Sequence, residues 1–205
     1  EALDPGVPLS FLDHHVKCGN SLVGATRELM AGGIPDGAYD PLTGDDPATA
    51  RAARKRNTEY RGYEGGLFPA DKAFPDHRKI VDLFSGLSAQ DESTLEGVRL
   101  LALRYREILE TPEYRTELSA ANAWCSAFFQ PKRAGGPEPL TEEHFSAWRR
   151  DLSRVPSALR DLAETLAARA GFFHWDLAFP EVFRGTEGRP GGFDAVLGNP
   201  PWERI

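Results

Sequence analysis

Asn199-Pro200-Pro201-Trp202 is the stretch whose residue types and order could do chemistry. It directly follows Phe193–Leu197, a short apolar run of the kind buried in parallel sheets. In open α/β sheets ligands sit at the carboxyl ends of strands, so the position suits an active site. An amino group conjugated to a ring is a poor nucleophile because its lone pair is delocalised. Two acceptors aimed at its N–H bonds draw the nitrogen towards a tetrahedral, more nucleophilic form. The Asn199 side-chain carbonyl supplies one acceptor and the Pro200 backbone carbonyl the other. Consecutive prolines restrict φ and remove backbone donors, which fixes where that carbonyl points. Trp202 offers a flat face on which a base rotated out of a duplex can stack, a contact worth about 1–3 kcal/mol. The preference is for transition-state geometry, so the effect falls mainly on rate. On this reading Asn199, Pro200 and Trp202 are catalytic, and Asn199, Pro201 and Trp202 hold the substrate.

Other chemistry-bearing residues carry weaker signals. His14 and His15 are adjacent; on a strand their side chains would point to opposite faces, so they are expected to be ordinary histidines and not a metal pair. His174, Trp175 and Asp176 are expected to pack beneath the catalytic strand. Cys18 and Cys125 belong to no ligand-spaced cluster and read as two reduced thiols of a cytosolic protein. The basic run Arg51, Arg54, Lys55, Arg56 and Arg61 reads first as a solvated helix face and second as a phosphate contact. "GYEGG" has neither the frame nor the preceding strand of a phosphate loop.

The elements that must position the motif can be read from the caps and stripes. Residues 1–25 contain "HHVKCGNSL", expected as a short strand near His15–Cys18 running into a turn at Gly19-Asn20-Ser21. Residues 31–47 are rich in Gly, Pro and Asp and read as loop. Helices are expected over 47–61, 76–85, from Asp91 to Glu110, and from the Thr111-Pro112 cap to about Phe129. Thr141 caps a helix with Phe145, Trp148 and Leu152 on one face. Ser157 caps another, bearing Leu159, Leu162 and Leu166 and ending at Gly171. Residues 172–183, where Phe173, Trp175, Leu177 and Phe179 alternate, read as extended. The division expected is 1–25 core strand and turn, 26–171 helical insertion, and 172–205 return to the core.

The 205 residues are 40% hydrophobic and 27% charged, which fits a globular chain and excludes a disordered one. The 20 glycines and 16 prolines imply much loop. No apolar run approaches a membrane span, and no secretory signal is visible, so a cytoplasmic protein is expected. A net charge of −7 does not favour a phosphate-gripping surface, though it leaves room for one elsewhere in a longer chain.

"FDAVLGNPPW" resembles the catalytic motif of amino-group methyltransferases that use S-adenosylmethionine. "LDHHVKCGNSLVGA" and "FFHWDLAFPEVF" narrow the resemblance to the methylases of type IIG restriction enzymes and related phage-defence systems. That resemblance implies an α/β fold: a fragment of a Rossmann-like methyltransferase core, mostly helical insertion, flanked by two core strands. It implies methylation of a flipped adenine in double-stranded DNA, with S-adenosylmethionine as donor, and restriction or defence partner subunits. Asn199, Pro200 and Trp202 would activate the adenine, and Asn20 falls where relatives carry an acid near the cofactor's adenine. An amide there can accept from an amino group but carries no charge; "CGNSL" reads equally well as a simple strand-to-turn. The family's Asp/Glu-Pro-x-x-Gly-x-Gly loop does not occur, so the chain is expected to be an inactive segment of a longer protein.

Two rival functions share these residues. Methyltransferases of glutamine side-chain amides use the same motif, but they lack a long helical stretch before it. A non-catalytic helical interaction module from a truncated gene is the other.

Overall fold

A computed structural model describes residues 10–67, 77–87, 92–185 and 191–198. Eight α-helices are found among them: α1 Arg27–Ala31, α2 Pro47–Leu67, α3 His77–Ser85, α4 Leu95–Glu110, α5 Pro112–Phe129, α6 Glu142–Arg150, α7 Ser157–Ala170 and α8 Trp175–Ala178. Single 3-10 turns lie at Asp36–Tyr39 and Leu152–Arg154. Among the described residues there is no strand, and sheet-like pairing is confined to one isolated parallel bridge between Asn20 and Phe172. The expectation of an α/β fold with two core strands is therefore overturned. The strand expected near His15–Cys18 does not form because residues 13–15 make a turn, closed by the His15 and Val16 N–H groups donating to Leu12 O.

α5 is the axis of the body. It packs against α3, α4, α6, α7 and the turn at Asp36–Tyr39. Its alanines 120, 121, 123 and 127 are all buried, and small side chains let neighbouring helices approach closely. A helix buried on more than one face needs no single apolar stripe. The stripes of the surrounding helices do face inward: Leu101, Tyr105 and Ile108 of α4, Phe145 and Trp148 of α6, Leu159 and Leu166 of α7. Each such burial stabilises by roughly 1.5–3 kcal/mol. Leu152, expected on the stripe with Phe145 and Trp148, is exposed in the 3-10 turn just past α6.

The caps work as the residue types dictate. Thr111 Oγ1 accepts from Tyr114 N at 3.4 Å, with Pro112 in the first turn where no donor is missed. Thr141 N donates to His144 Nδ1 at 3.2 Å. Gly171 ends α7 in the left-handed conformation. Ser157 is the first residue of α7 and not its cap; Pro156 holds that position. α2 continues through Gly62 to Leu67, past its expected end, because a glycine weakens a helix by only about 1 kcal/mol.

A buried polar network locks the loop before α2 to α6. Glu142 Oε2 accepts from Ile34 N at 2.6 Å, and its Oε1 lies 3.0 Å from Arg149 Nη2. Asn57 Oδ1 accepts from Glu142 N at 2.8 Å while Asn57 Nδ2 donates to Ile34 O at 3.0 Å. Tyr39 OH donates to Leu140 O at 2.8 Å, and Trp124 Nε1 donates to Gly33 O at 2.9 Å. Gly33 itself has φ +73°, and a Cβ there would stand 2.6 Å from Glu142 Oε2. Both the torsion and the contact demand glycine.

Candidate functional site

The structure brings together two stretches from opposite ends of the chain, the "CGNSL" segment and "FFHWD". Asn20 N donates to Gly171 O at 2.6 Å, and Phe173 N donates to Val23 O at 2.7 Å. Three consecutive residues then each reach back to the earlier segment. His174 Nδ1 accepts from Ala25 N at 3.0 Å, Trp175 Nε1 donates to Ser21 O at 3.1 Å, and Asp176 Oδ2 accepts from Arg27 N at 3.0 Å. His174, Trp175 and Asp176 are thus pins for residues 21–27, not packing beneath a strand. The approach is so close that a Cβ on Gly24 would collide with Phe173 O.

His174 is 4% exposed, and burial pushes its pKa down to about 4. Because Nδ1 accepts from Ala25 N, the ring proton sits on Nε2, which is 2.9 Å from Asn122 Oδ1 and donates to it. One neutral histidine therefore ties the early segment and the late segment to α5. Its role is positional.

The stretch 172–183 is not extended. α8 and the turn after it replace the expected strand, with the Ala178 and Phe179 N–H groups donating to His174 O and Trp175 O. This coiling clusters the aromatic rings. Phe173 meets Trp175 at 4.8 Å, Trp175 stacks on Phe179 at 5.9 Å, and Phe193 packs edge-on against Phe179 at 5.4 Å. These rings wall a notch of about 360 Å³, floored by Lys17, Gly19 and Ser21. Nothing in the sequence singles out Lys17. Its Nζ donates to Tyr105 OH and lies 4.4 Å from that ring's centre. Burial lowers its pKa, with Glu181 and Asp13 acting in the opposite direction.

Asn20 is exposed; its sequence neighbours Gly19 and Ser21 line the notch, and Asn20 itself does not. Its Oδ1 accepts from Leu22 N at 3.2 Å, a local turn bond that orients the amide. Phe193–Leu197 is not a buried strand: Val196 is 79% and Leu197 98% exposed, with no ladder partner among the described residues. Asn199, Pro200, Pro201 and Trp202 lie outside the described residues.

The remaining candidates resolve as follows. His14 and His15 lie in a turn, not on opposite faces of a strand, and their ring centres are 3.8 Å apart. Among the described residues no cluster of His, Cys, Asp and Glu could hold a metal ion. Cys18 is exposed and Cys125 buried; both are free thiols, and burial pushes Cys125 up to about 12. The basic run on α2 lies on an exposed face, as expected first, and some of its residues also have partners within the molecule. Arg54 pairs with Asp40 at 2.9 Å, Arg56 with Glu138, and Arg61 donates to Gly32 O at 3.3 Å. No helix among the described residues is long and apolar enough to cross a membrane.

Residues 109–205 match the family model described as Eco57I restriction-modification methylase. No curated protein and no solved structure matches the chain. The matched stretch begins at the end of α4 and includes α5, α6, α7, the His174 pins and the Asn-Pro-Pro-Trp string; Asn20 precedes it. Over those residues the chain is similar to a restriction-modification methylase, and that is the family the match supports.

Proposed function

We propose that these residues serve a site-specific DNA methyltransferase that modifies the exocyclic amino group of adenine, in restriction–modification or phage defence. The observation that carries this reading is the methylase match over residues 109–205, which includes Asn199-Pro200-Pro201-Trp202. The docking of "CGNSL" onto "FFHWD" supports it further, because a methylase needs its cofactor-side and substrate-side segments adjacent. Residues 26–171 act as the helical body, and the two flanking stretches carry the chemistry.

S-adenosylmethionine, when bound, supplies a methyl group on a sulfonium centre. The notch suits the adenine end of that molecule: Phe173, Trp175 and Phe179 offer flat apolar walls, and Asn20 stands in sequence between the lining residues Gly19 and Ser21. Among the described residues its lining holds no carboxylate for the ribose. Asn199 and the Pro200 carbonyl accept the two N–H bonds of the target amine, and Trp202 stacks on the flipped base. In the transfer the donor's methyl–sulfur bond would break as the N–C bond forms, leaving a neutral thioether, and the nitrogen would give up one proton to solvent. The protein belongs in the cytoplasm beside double-stranded DNA, with restriction or defence subunits as partners.

The test is transfer of labelled methyl from S-adenosylmethionine to duplex DNA by the full reading frame containing these residues. Label in N6-methyladenine is the expected result. Label in a protein glutamine, with none in DNA, would replace this reading with the amide-methylating one.

A further inference from the structure

A cleft of about 700 Å³ opens where the start of α1, the first turn of α3 and the turn after α8 converge. Arg27, His77, Arg78, Asp82, Phe183 and Arg184 contribute to its lining. On a chain of net charge −7, three guanidinium groups from three separate elements gather at one opening. Glu117 of α5, with a fully buried side chain, sits behind them. Its Oε1 is 2.8 Å from Arg27 Nη1 and 3.1 Å from His77 Nδ1, so one carboxylate orients two of the lining groups. Arg78 and Arg184 are exposed, and Arg184 makes no hydrogen bond or ion pair among the described residues. Arg184 differs in this from Arg54 and Arg56 of α2, which are held by Asp40 and Glu138.

We propose that this cleft takes a backbone phosphodiester of duplex DNA, gripped by Arg78 and Arg184 with Arg27 behind them. Planar guanidinium forks match phosphate oxygens in pairs, which favours this ligand over a neutral one. The inference rests on the methylase reading for its choice of polymer. Gly192 N donates to Val182 O at 2.9 Å and Phe193 packs on Phe183 at 5.7 Å, so the segment leading to Asn199 departs from the rim of the cleft. A phosphate held there would anchor DNA against the same turn on which Phe193 packs. Asp82 is the opposing charge in the lining and limits the grip.

The experiment is fluorescence anisotropy of a short labelled DNA duplex, titrated with the full reading frame across a salt series, beside a methylation assay on the same samples. Arg184→Gln should weaken binding several-fold and lower the salt slope by about 1, the signature of one lost phosphate contact. Asp82→Asn should tighten binding by relieving repulsion. Neither side chain is buried, and unchanged thermal melting of both variants verifies the fold. An unchanged affinity and slope for Arg184→Gln would overturn the clamp, and continued adenine methylation there would leave the methylase reading intact. A reduced slope with no methylation would do the reverse. Binding of inorganic phosphate in the absence of any duplex binding would also overturn the proposal, marking a small-anion site instead.

Discussion

The helical body and the flanking stretches that pack against it are built on opposite plans. In the body, polar groups are buried and partnered: Glu142, Asn57 and Tyr39 close a network across three segments, with Phe145 and Trp148 packed nearby. Among the described residues the most exposed large apolar side chains are in the flanks: Leu197 at 98%, Leu22 at 92% and Val196 at 79%, against at most 62% in the body, at Leu42. The flanks are held by a few bonds from Gly171, Phe173, His174, Trp175 and Asp176 to residues 20–27. The body makes stability, and on the proposed reading the flanks present residues for chemistry. Segments that must meet a ligand gain from few constraints of their own, provided something rigid holds their base.

That contrast can be broken most severely at Glu142. Glu142→Ala removes the acceptor for Ile34 N and the partner of Arg149, whose side chain is only 6% exposed. Breaking a buried pair of this kind costs about 3–5 kcal/mol, to be read as a lowered midpoint in urea. An unchanged midpoint would mean the network adds nothing to the body.

The joint between body and flanks is sensitive to acid. The unfolded His174 binds a proton below its ordinary pKa of 6.5, while the folded ring resists until about 4. The unfolded state therefore binds more protons between those values. Stability is fully present above 6.5 and falls by about 3 kcal/mol as the pH drops to about 4. In His174→Phe that segment of the pH–stability curve should flatten, which chemical denaturation at several pH values would detect.

A smaller loss is expected at Gly33→Ala, where the added Cβ meets Glu142 Oε2 and the left-handed torsion is strained. About 1–3 kcal/mol should be lost, visible in the melting temperature. The smallest effect belongs to the flank. Leu22→Ser, at a side chain almost wholly in solvent, should shift stability by no more than about 0.5 kcal/mol. A large loss there would erase the distinction between the regions.

Local signals specify the body. Thr111-Pro112, Thr141 and Gly171 mark helix ends through bonds within four residues, so the sequence states them directly. The flanks mislead for an identifiable reason. Phe173, Trp175 and Phe179 alternate as a strand would, yet Trp175 and Phe179 are also four apart and stack on a helical turn. Period two and period 3.6 share that spacing over so short a run. Phe193–Leu197 has the composition of a buried strand, but a strand is made by neighbours, and none pairs with it among the described residues. The pins from His174 and Asp176 to Ala25 and Arg27 join distant residues, and no local pattern announces them. The Asn-Pro-Pro-Trp string can be proposed from the sequence because the chemistry it suggests needs only four consecutive residues.

On the proposed reading the flanks carry a methylase site in which Asn199 activates the target amine. The most direct test of that reading is labelled methyl transfer from S-adenosylmethionine to duplex DNA by the full reading frame, with Asn199→Ala beside it. Incorporation into adenine that falls by about two orders of magnitude or more in the variant, about 3 kcal/mol of lost transition-state stabilisation, is the predicted result. A folded, cofactor-binding protein that labels no DNA, or one that labels it equally well without Asn199, would contradict the account.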